Sequence, residues 1–486
     1  MSESKIIEAY NKGITEVIDL VKGLSSQINV LNTELSTLKA ENKKLSDRLT
    51  EVEERINKNS SNSSKPPSSD GFKKPKSFRK KSGKPTGGQF GHEGHTLEKV
   101  ENPDEIVDIK PEKCKCGYHL SDVEGITRSR QVFEMPVIKV KVTEYRAHEV
   151  ICPKCNKVHK TKFPDTVTQP TQYGKNIQAL MAYLTNYQFI PLERSSEIIS
   201  DILGQSISEG TFVKINNTLN QKLELVEDSI KQQLINSPVV NFDESGVRCN
   251  GKTQWLHSAS TDQLTHYAIH EKRGSQASYD IGILPEFEGV ACHDHWIPYY
   301  NFNNCSHSEC NSHILRALKG ISENTKYEWS QKMASLLIEI KHYVNVLKVA
   351  GKTEIADHDI AKYHNIYKEI IAFGNSECPM PTNEKGKKKP KKNASQKLLA
   401  RLEKYDIETL SFMYDFNIPF DNNLAERDIR MIKLKQKISG GFRGKDAPNV
   451  FCRIRGYIST CRKNGQKVME SIAKAIKGDP YIPSTL

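Results

Sequence analysis

The chain lacks an apolar run long enough to cross a bilayer. Its first residues, MSESKIIEAY, also lack the basic stretch and the apolar core of an export signal. These two absences predict a cytoplasmic protein that does not span a membrane. In such a protein the 11 cysteines are expected to be thiols or metal ligands rather than disulfides.

Acidic residues are fewer than basic ones: the chain has 59 Asp and Glu and 71 Lys and Arg, which gives a net charge of +12. That excess favours an anionic partner, most often nucleic acid, although ribosomal and membrane-surface proteins share it. With 486 residues, the chain is long enough for roughly three domains that each bury a core.

A heptad pattern occupies the first 58 residues, where apolar side chains alternate in steps of three and four. This spacing predicts a parallel coiled coil that forms a dimer, with Asn42 at an a position, where a lone polar residue fixes the register. The alternative is one amphipathic helix packed on its own core, but about seven heptads exceed the usual length of such helices. The predicted d positions are Leu24, Leu31, Leu38 and Leu45.

Residues 59–100 are rich in Ser, Pro, Gly and Lys and contain too few apolar side chains to fold alone. Between Phe72 and Lys84 there are seven Lys or Arg residues and no acid. We interpret the segment as a linker. It is either a solvated tether or a non-specific phosphate-binding segment whose contacts weaken with salt.

Four cysteines form two closely spaced pairs, within CKCG and CPKC. Thiolates this close together on tight turns can take two tetrahedral positions each, so two pairs can close a structural zinc site. The first pair has one spacer residue instead of the usual two. We expect Zn²⁺ to replace a hydrophobic core in a small module at residues 101–170. The predicted ligands are Cys114, Cys116, Cys152 and Cys155.

A helical region is predicted at residues 171–236, with a turn near Gly204 and a second helix that begins at Ser206 or Ser208. This pattern fits a helix-turn-helix that reads DNA. A plain helical hairpin has the same pattern, and the second helix is not notably basic. The sequence leaves both interpretations open.

Strand patterns begin near residue 237 and include Asn250-Gly251, the strongest short hairpin signal. Asp243 lies in the first predicted strand and Asp294 at the end of the fourth, whereas Glu426 lies on a much later helix. Two adjacent strands and a helix can aim three carboxylates at one point, as in the ribonuclease H-like fold. Such oxygens suit Mg²⁺, and a pair of divalent ions serves phosphodiester cleavage.

Each carboxylate also has a purely structural interpretation. An isolated Asp in a strand is more often structural than catalytic. Asn423 and Glu426 have the spacing of a helix cap, in which the Asn side chain caps the first turn and the Glu reaches back to its backbone. The residues alone therefore leave the role of Glu426 open.

The chain resembles the insertion-sequence-66-type transposases, one of the DDE transposase groups, over nearly its whole length. The resemblance includes the coiled coil, the paired cysteines and the motifs NSSNSSKPPSSDGFKK, GGQFGHEGH, FDES, HDHWIPYY and DNNLAERDIR. It implies that Asp243, Asp294 and Glu426 form the catalytic triad and hold two Mg²⁺ or Mn²⁺ ions. It also includes a Cys-x-x-His pair, matched by Cys310 and His313, which we expect to support the active-site end of the following helix.

The resemblance implies a transposase of a bacterial insertion sequence that binds terminal inverted repeats and performs strand cleavage and strand transfer. The expected partners are the element ends, target DNA, a second copy of the chain or a higher oligomer, and accessory proteins of the same element. Arg427, Arg430 and Lys433 are expected to contact phosphates, with a solvated basic face as the alternative.

Three alternatives remain beside this interpretation. The chain could be a zinc-containing dimeric DNA-binding regulator without catalysis, or a ribonuclease H-like nuclease that cuts without joining. The residues after Asp294 could also bind a second zinc ion, because four donors lie close together in sequence. Those four donors are Cys305, His307, Cys310 and His313.

The expected fold is multidomain α+β, with a coiled coil, a zinc-ribbon-like module, a helical DNA-binding region and a ribonuclease H-like α/β catalytic domain that carries a helical insertion. Its domain boundaries follow from the changes in composition and pattern along the chain, and the resemblance implies that a helical insertion divides the catalytic domain. They are 1–58 for the coiled coil, 59–100 for the linker, 101–170 for the zinc module, 171–236 for the helical region, 237–315 and 419–486 for the catalytic domain with the C-terminal region, and 316–418 for the insertion with its Lys-rich loop.

Overall fold

The computed structural model describes residues 3–63, 70, 91, 97–381 and 391–484. Most of the predicted basic linker and most of the Lys-rich loop lie outside these residues. Helices and a mixed sheet together confirm the α+β class. Within the described ranges, no helix is long and apolar enough to span a membrane.

The chain divides into two compact units. The first comprises Met1–Pro75, Tyr173–Leu192 and Gly210–Leu486, and the second comprises Lys76–Gln172 and Glu193–Glu209. This division differs from the predicted boundaries, because part of the helical region at 171–236 belongs to the same unit as the sheet. Its apolar side chains are buried in that unit, as described below.

The predicted heptad helix is divided in two, α1 (Glu3–Lys12) and α2 (Ile14–Asn57). The break falls at Gly13, whose φ of +117° is a backbone conformation that favours glycine. In the single chain Leu31, Leu38 and Leu45 are each more than half exposed. The predicted seam is therefore not covered by the described residues of its own chain.

The second unit contains a short antiparallel hairpin, β1 (Glu149–Ile151) and β2 (Val158–Lys160). Cys152 and Cys155 lie in the turn between the two strands. Many apolar side chains around this hairpin are exposed, including Ile126 at 95% and Val132 at 88%. The described part of this unit therefore buries little apolar surface of its own.

Four helices follow, and a π-helical turn at Tyr183–Tyr187 separates the first two. The predicted turn at Gly204 is confirmed by its φ of +66°, and the next helix begins at Glu209. Several of their apolar side chains, among them Ala182, Leu219 and Leu234, join the core of the first unit. The helices are α3 (Lys175–Ala182), α4 (Leu192–Leu203), α5 (Glu209–Lys222) and α6 (Glu224–Ile235).

A five-stranded mixed sheet forms the centre of the first unit, in the order β5-β4-β3-β6-β7. Within this sheet, β3, β4 and β5 are antiparallel neighbours. Strand β6 runs parallel to β3, and β7 runs parallel to β6. The predicted Asn250-Gly251 turn joins β3 to β4, with both residues at positive φ. The strands are β3 (Val239–Cys249), β4 (Lys252–Ser260), β5 (Thr265–His270), β6 (Val290–His293) and β7 (Ser306–Glu309), with helix α7 (Ser275–Ile281) between β5 and β6.

The region after β7 is helical, as predicted for the insertion. It has its own apolar core, with Trp329, Leu337 and Leu399 fully buried. Glycine is required at Gly374, because a Cβ there would lie 2.6 Å from the Leu399 side chain and 2.9 Å from Trp329. The helices are α8 (Asn311–Asn324), α9 (Trp329–Val349), α10 (Asp357–Glu377), α11 (Ala394–Lys404) and α12 (Asp406–Tyr414).

The last three helices complete the first unit, and the first two of them pack against the sheet. Val247 of β3 is buried with Ile429 and Ile432, which lie on the first of these helices. Side chains alternate along a strand, so Asp243 and Val247 belong to the same face of β3. The helices are α13 (Asn423–Ser439), α14 (Ala447–Lys463) and α15 (Val468–Lys477).

The end of α2 is docked on α8, although the sequence predicts a linker from residue 59. The side chain of Asn62 donates to Glu323 at 2.9 Å, and Asn57 donates to Asn324 at 3.2 Å. A Cβ at Gly320 would lie 2.5 Å from the Asn62 carbonyl oxygen, so only glycine permits this approach. The first residues of the predicted linker are therefore part of the folded unit.

Candidate active site

Asp243 and Asp294 lie on neighbouring parallel strands. In the register of β3 and β6, Asn241 is opposite Cys292. Asp243 lies two residues after Asn241, and Asp294 lies two residues after Cys292, directly after the end of β6. The parallel register therefore brings Asp243 beside Asp294. Neighbouring strands are about 4.8 Å apart. The sheet therefore places the first two predicted catalytic carboxylates side by side on its inner strands, at the end of β6.

Both aspartates are partly buried, and this burial changes the protonation of their carboxyl groups. Burial raises the pKa of Asp243 well above its usual range, and the nearby charges of Glu244, Asp294 and Glu426 raise it further. Burial also raises the pKa of Asp294, although the Trp296 backbone N–H and nearby cations oppose this. The energetic cost of these like charges would fall if a divalent cation bound between them.

Glu426 lies in the first turn of α13, and its carboxylate is 14% exposed. One oxygen, Oε1, is 3.4 Å from the Arg316 guanidinium and 3.7 Å from His313 Nδ1, and Oε2 is 3.2 Å from Arg430. The predicted helix cap is wrong. The N-cap residue is Asn422, one position earlier than Asn423, and no side chain caps this helix.

Asn422 joins the helix that carries Glu426 to the strand that carries Asp243. Its side-chain amide donates to the carbonyl of Phe242 at 2.7 Å, directly before Asp243. Its backbone N–H donates to the Cys310 sulfur at 3.2 Å. Asn422 is 2% exposed and is therefore a buried link between the two elements. Sequence analysis missed this role, although Asn422 belongs to the DNNLAER motif.

Replacing Asn422 with Ala is expected to lower the free energy of unfolding by about 1–3 kcal/mol, because the buried Phe242 carbonyl would lose its partner. Asn423→Ala is the matched control, since Asn423 is exposed and does not cap the helix. We expect that control to stay within about 0.5 kcal/mol of the wild type. Chemical denaturation of the full chain measures both. An equal loss in the two variants would instead support a cap at Asn423.

Glu244 is a second buried carboxylate that sequence analysis did not select. Its Oε1 accepts from Arg273 Nε at 2.9 Å, and its Oε2 accepts from the Tyr299 hydroxyl. Arg273 in turn stacks on Trp296, 3.9 Å from the ring centre. Burial raises the pKa of Glu244 and so does the charge of Asp294, whereas Tyr299 and Arg273 lower it. The sequence did contain a signal for this residue, because Glu244 is a second acid directly after Asp243 in a predicted apolar strand.

Glu309 anchors the segment that follows Asp294 to the helical insertion. The carboxylate is completely buried and accepts from Arg401 Nε at 2.8 Å and from Tyr300 at 2.7 Å. His295 contacts Oε1, the same oxygen that accepts from Tyr300. Burial alone would raise the pKa of Glu309, but the bonds from His295 and Arg401 lower it to about 2. Glu309 is therefore a structural carboxylate, and sequence analysis missed it.

The cysteine pairs of the predicted zinc module lie within the second unit. In each pair a cysteine is surrounded by backbone donors, and these lower the pKa of Cys116 and of Cys152. Across the described residues, however, the four thiols do not form a group of metal ligands. The structure thus brings the cysteines together two by two, and zinc binding by all four stays a prediction. All eleven cysteines, which lie within the described residues, are free thiols.

The predicted phosphate contacts lie on α13 in three different environments. Arg427 is exposed, and Arg430 is 62% exposed while it pairs with Glu426. Lys433 is half-buried, and its ammonium donates to the Gly246 carbonyl. A phosphate contact by Lys433 would require this bond to break, whereas the two arginines need no such change.

Cys310 is the N-cap residue of α8 and His313 lies in its first turn, so their expected support of this helix end stays a prediction. Burial raises the pKa of Cys310 to about 12 and lowers that of His313 to about 3. The other members of the alternative zinc set lie elsewhere. Cys305 donates to Phe302, and His307 lies 3.0 Å from His293. The described residues do not unite the four donors in one group.

The mixed sheet, the helices packed on it and the two neighbouring aspartates define an α/β unit with an acidic site. A family model described as Transposase IS66 family matches residues 170–449, more than half of the chain. The chain therefore belongs to this family of insertion-element transposases.

Two further similarities lie outside that match or cover little of it. A family of unknown function matches residues 20–98. The chain is also similar to the uncharacterized protein y4jO of Sinorhizobium fredii, with 38% identity over 69 residues, 14% of this chain and 22% of that relative. The similarity therefore spans about a fifth of that protein.

Proposed function

We propose that the protein is a DDE transposase that cleaves the terminal inverted repeats of its insertion sequence and transfers the cut strands to target DNA. The observation that carries the proposal is the placement of Asp243 beside Asp294, with the helix of Glu426 tied to the same strand by Asn422. The order and directions of the five strands support a ribonuclease H-like fold for this unit.

The donor set fits hard divalent cations, because Asp243 lies beside Asp294 in a partly buried place where the charges of Asp294 and Glu426 raise the pKa of Asp243. Asp243, Asp294 and Glu426 would hold two Mg²⁺ or Mn²⁺ ions. When bound, such ions supply activation of the nucleophile and stabilisation of the leaving oxygen. In the described structure Glu426 faces Arg316 and His313, so we infer that it must turn towards the two aspartates.

The remaining residues of the site position these groups. Arg273, held by Glu244 and stacked on Trp296, keeps a positive charge near Asp294. Glu309 and Arg401 fix the segment after Asp294. No side chain is required as a general base, since the cations would lower the pKa of bound water.

The partners follow from charge and from the exposed seam of α2. We propose that Arg427 and Arg430 contact DNA phosphates and that two copies of the chain pair through Leu24, Leu31, Leu38 and Leu45 with Asn42 setting the register. A zinc ion bound by Cys114, Cys116, Cys152 and Cys155 would join the two cysteine pairs of the second unit. The described part of the second unit buries little apolar surface, and this supports a stabilising ion there.

The test incubates full-length protein and Mg²⁺ or Mn²⁺ with a labelled duplex that carries the terminal inverted repeats of the element. Glu426→Gln removes one ligand charge, and Glu403→Gln, an exposed glutamate on α11, is the control. We expect nicks at the repeat boundary with the wild type and with Glu403→Gln, and none with Glu426→Gln.

Other outcomes count against the proposal in different ways. Equal nicking by Glu426→Gln would remove Glu426 from the metal site. Binding of the repeats without nicking by any variant would favour a DNA-binding regulator. Nicking without strand-transfer products would favour a nuclease.

A further inference from the structure

A group of soft metal donors lies beside the acidic site. Cys310, His313 and Glu426 bring a sulfur, a ring nitrogen and a carboxylate oxygen within 4.8 Å of one another. In the part of the chain that the structure describes, no other three His, Cys, Asp or Glu residues do so. The two residues from α8 and the one from α13 therefore surround one point.

The Cys310 sulfur is buried and has a backbone donor directed at it. Cys310 is 1% exposed, and its sulfur accepts the backbone N–H of Asn422 at 3.2 Å. The backbone N–H of His313 donates to the Cys310 carbonyl at 3.0 Å and so holds the two residues together at the start of α8. A bound Zn²⁺ ion would itself stabilise the thiolate, which is the form of cysteine that binds metals.

The His313 ring carries an orphaned nitrogen. Its Nδ1 is buried and has no hydrogen-bond partner among the described residues. The nearest carboxylate oxygen, Glu426 Oε1, is 3.7 Å away, which is too long for a hydrogen bond. A buried polar atom without a partner is costly, and a bound ion would accept its lone pair.

We propose that Cys310, His313 and Glu426 bind one Zn²⁺ ion, with water or a further ligand in the fourth position. Thiolate and imidazole select zinc over magnesium, and three protein ligands with one open position are common for zinc. The thiolate and the carboxylate offset the charge of the ion. Arg316 would have to release the Glu426 oxygen that it now contacts at 3.4 Å.

The consequence of this site rests on the proposed function, because the ion would hold the carboxylate that strand cleavage requires. Zinc would keep Glu426 beside α8, and the carboxylate would be available to the aspartates only after the ion leaves. Binding itself does not depend on strand cleavage. The two proposals can therefore fail separately.

The test measures zinc content per chain in purified full-length protein without DNA. Cys310→Ser removes the proposed thiolate, and Cys305→Ser is the matched control, because Cys305 is also buried but donates to Phe302. We expect Cys310→Ser to hold one zinc ion fewer than the wild type and Cys305→Ser to hold the same number. Zinc bound by the four cysteines of the second unit cancels in this difference.

His313→Ala provides a second variant in case Cys310→Ser does not fold, as judged by circular dichroism. It is also expected to lose one zinc ion. Equal zinc content in the wild type, Cys310→Ser and His313→Ala would overturn the site. If the wild type does not nick the duplex but still holds one zinc ion more than Cys310→Ser, the result counts only against the proposed strand cleavage.

Discussion

Replacing Asp243 with Asn is expected to reduce strand cleavage by on the order of a thousandfold or more while binding of the inverted repeats stays nearly intact. Metal ions at such sites supply several kcal/mol of charge stabilisation in the transition state, and each 1.36 kcal/mol changes the rate tenfold. The measurements are nicking rate and gel-shift affinity on the same duplex. Asp262→Asn, an exposed aspartate in the same unit, is the control and should behave as wild type.

A second readout of this variant does not depend on activity. Mg²⁺ that binds only the folded state should raise the unfolding temperature of the wild type. Asp243→Asn is expected to lose most of that increase, because the ion would lose a ligand. Without metal, the variant should unfold at a higher temperature than the wild type, since one of the mutually repelling buried charges is gone. Retained cleavage by Asp243→Asn would exclude Asp243 from the catalytic site.

Replacing Arg401 with Met is expected to lower the free energy of unfolding of the first unit by about 3–5 kcal/mol. The change leaves the completely buried Glu309 carboxylate without its guanidinium partner. Chemical denaturation at neutral pH measures the loss. Lys332→Met, which breaks an exposed pair with Glu328, is the control and should cost less than about 1 kcal/mol.

A double variant separates the pair from general damage to the fold. Combining Arg401→Met with Glu309→Gln removes both charges, and the double variant should be more stable than Arg401→Met alone. If the double variant is as unstable as the sum of the single changes, the two residues do not act as a pair.

The same pair predicts a pH dependence. The pKa of Glu309 lies near 2 in the folded protein and near 4.5 in the unfolded chain. A lowered carboxyl pKa stabilises the fold above the unfolded value, and this contribution is lost as the pH falls towards the folded value. The difference in stability between the wild type and Arg401→Met should therefore shrink as the pH falls from about 4.5 to about 2. A difference that stays constant over this range would show that Glu309 is not the titrating group.

Local signals in the sequence predicted several parts of the fold correctly. Asn250-Gly251 marks the β3–β4 hairpin because both residues readily adopt positive φ. Gly204 marks the end of α4 for the same reason. The helical insertion was predicted because apolar side chains at helical spacing must face a core.

The errors arose where a local pattern competes with a distant contact. Asn423 has the spacing of a cap, but Asn422 takes the N-cap position and its side chain bonds to Phe242, 180 residues earlier. The segment after residue 58 is polar enough for a linker, yet Asn62 is buried against Glu323. The helices at 171–236 were predicted as a separate region, but apolar side chains of α3, α5 and α6 lie in the core of the first unit.

The sequence by itself determined the heptads of the N-terminal helices and the cysteine pairs, and its resemblance to a known family predicted which three carboxylates are catalytic. The heptads and the cysteine pairs depend only on residue type and on short spacings along the chain. Tertiary structure decided that Arg401 neutralises Glu309, 92 residues away, that Asn422 joins two elements and that Cys310 and His313 meet Glu426. Such pairs form only when chain segments that are distant in sequence pack together, because neither local segment specifies its partner.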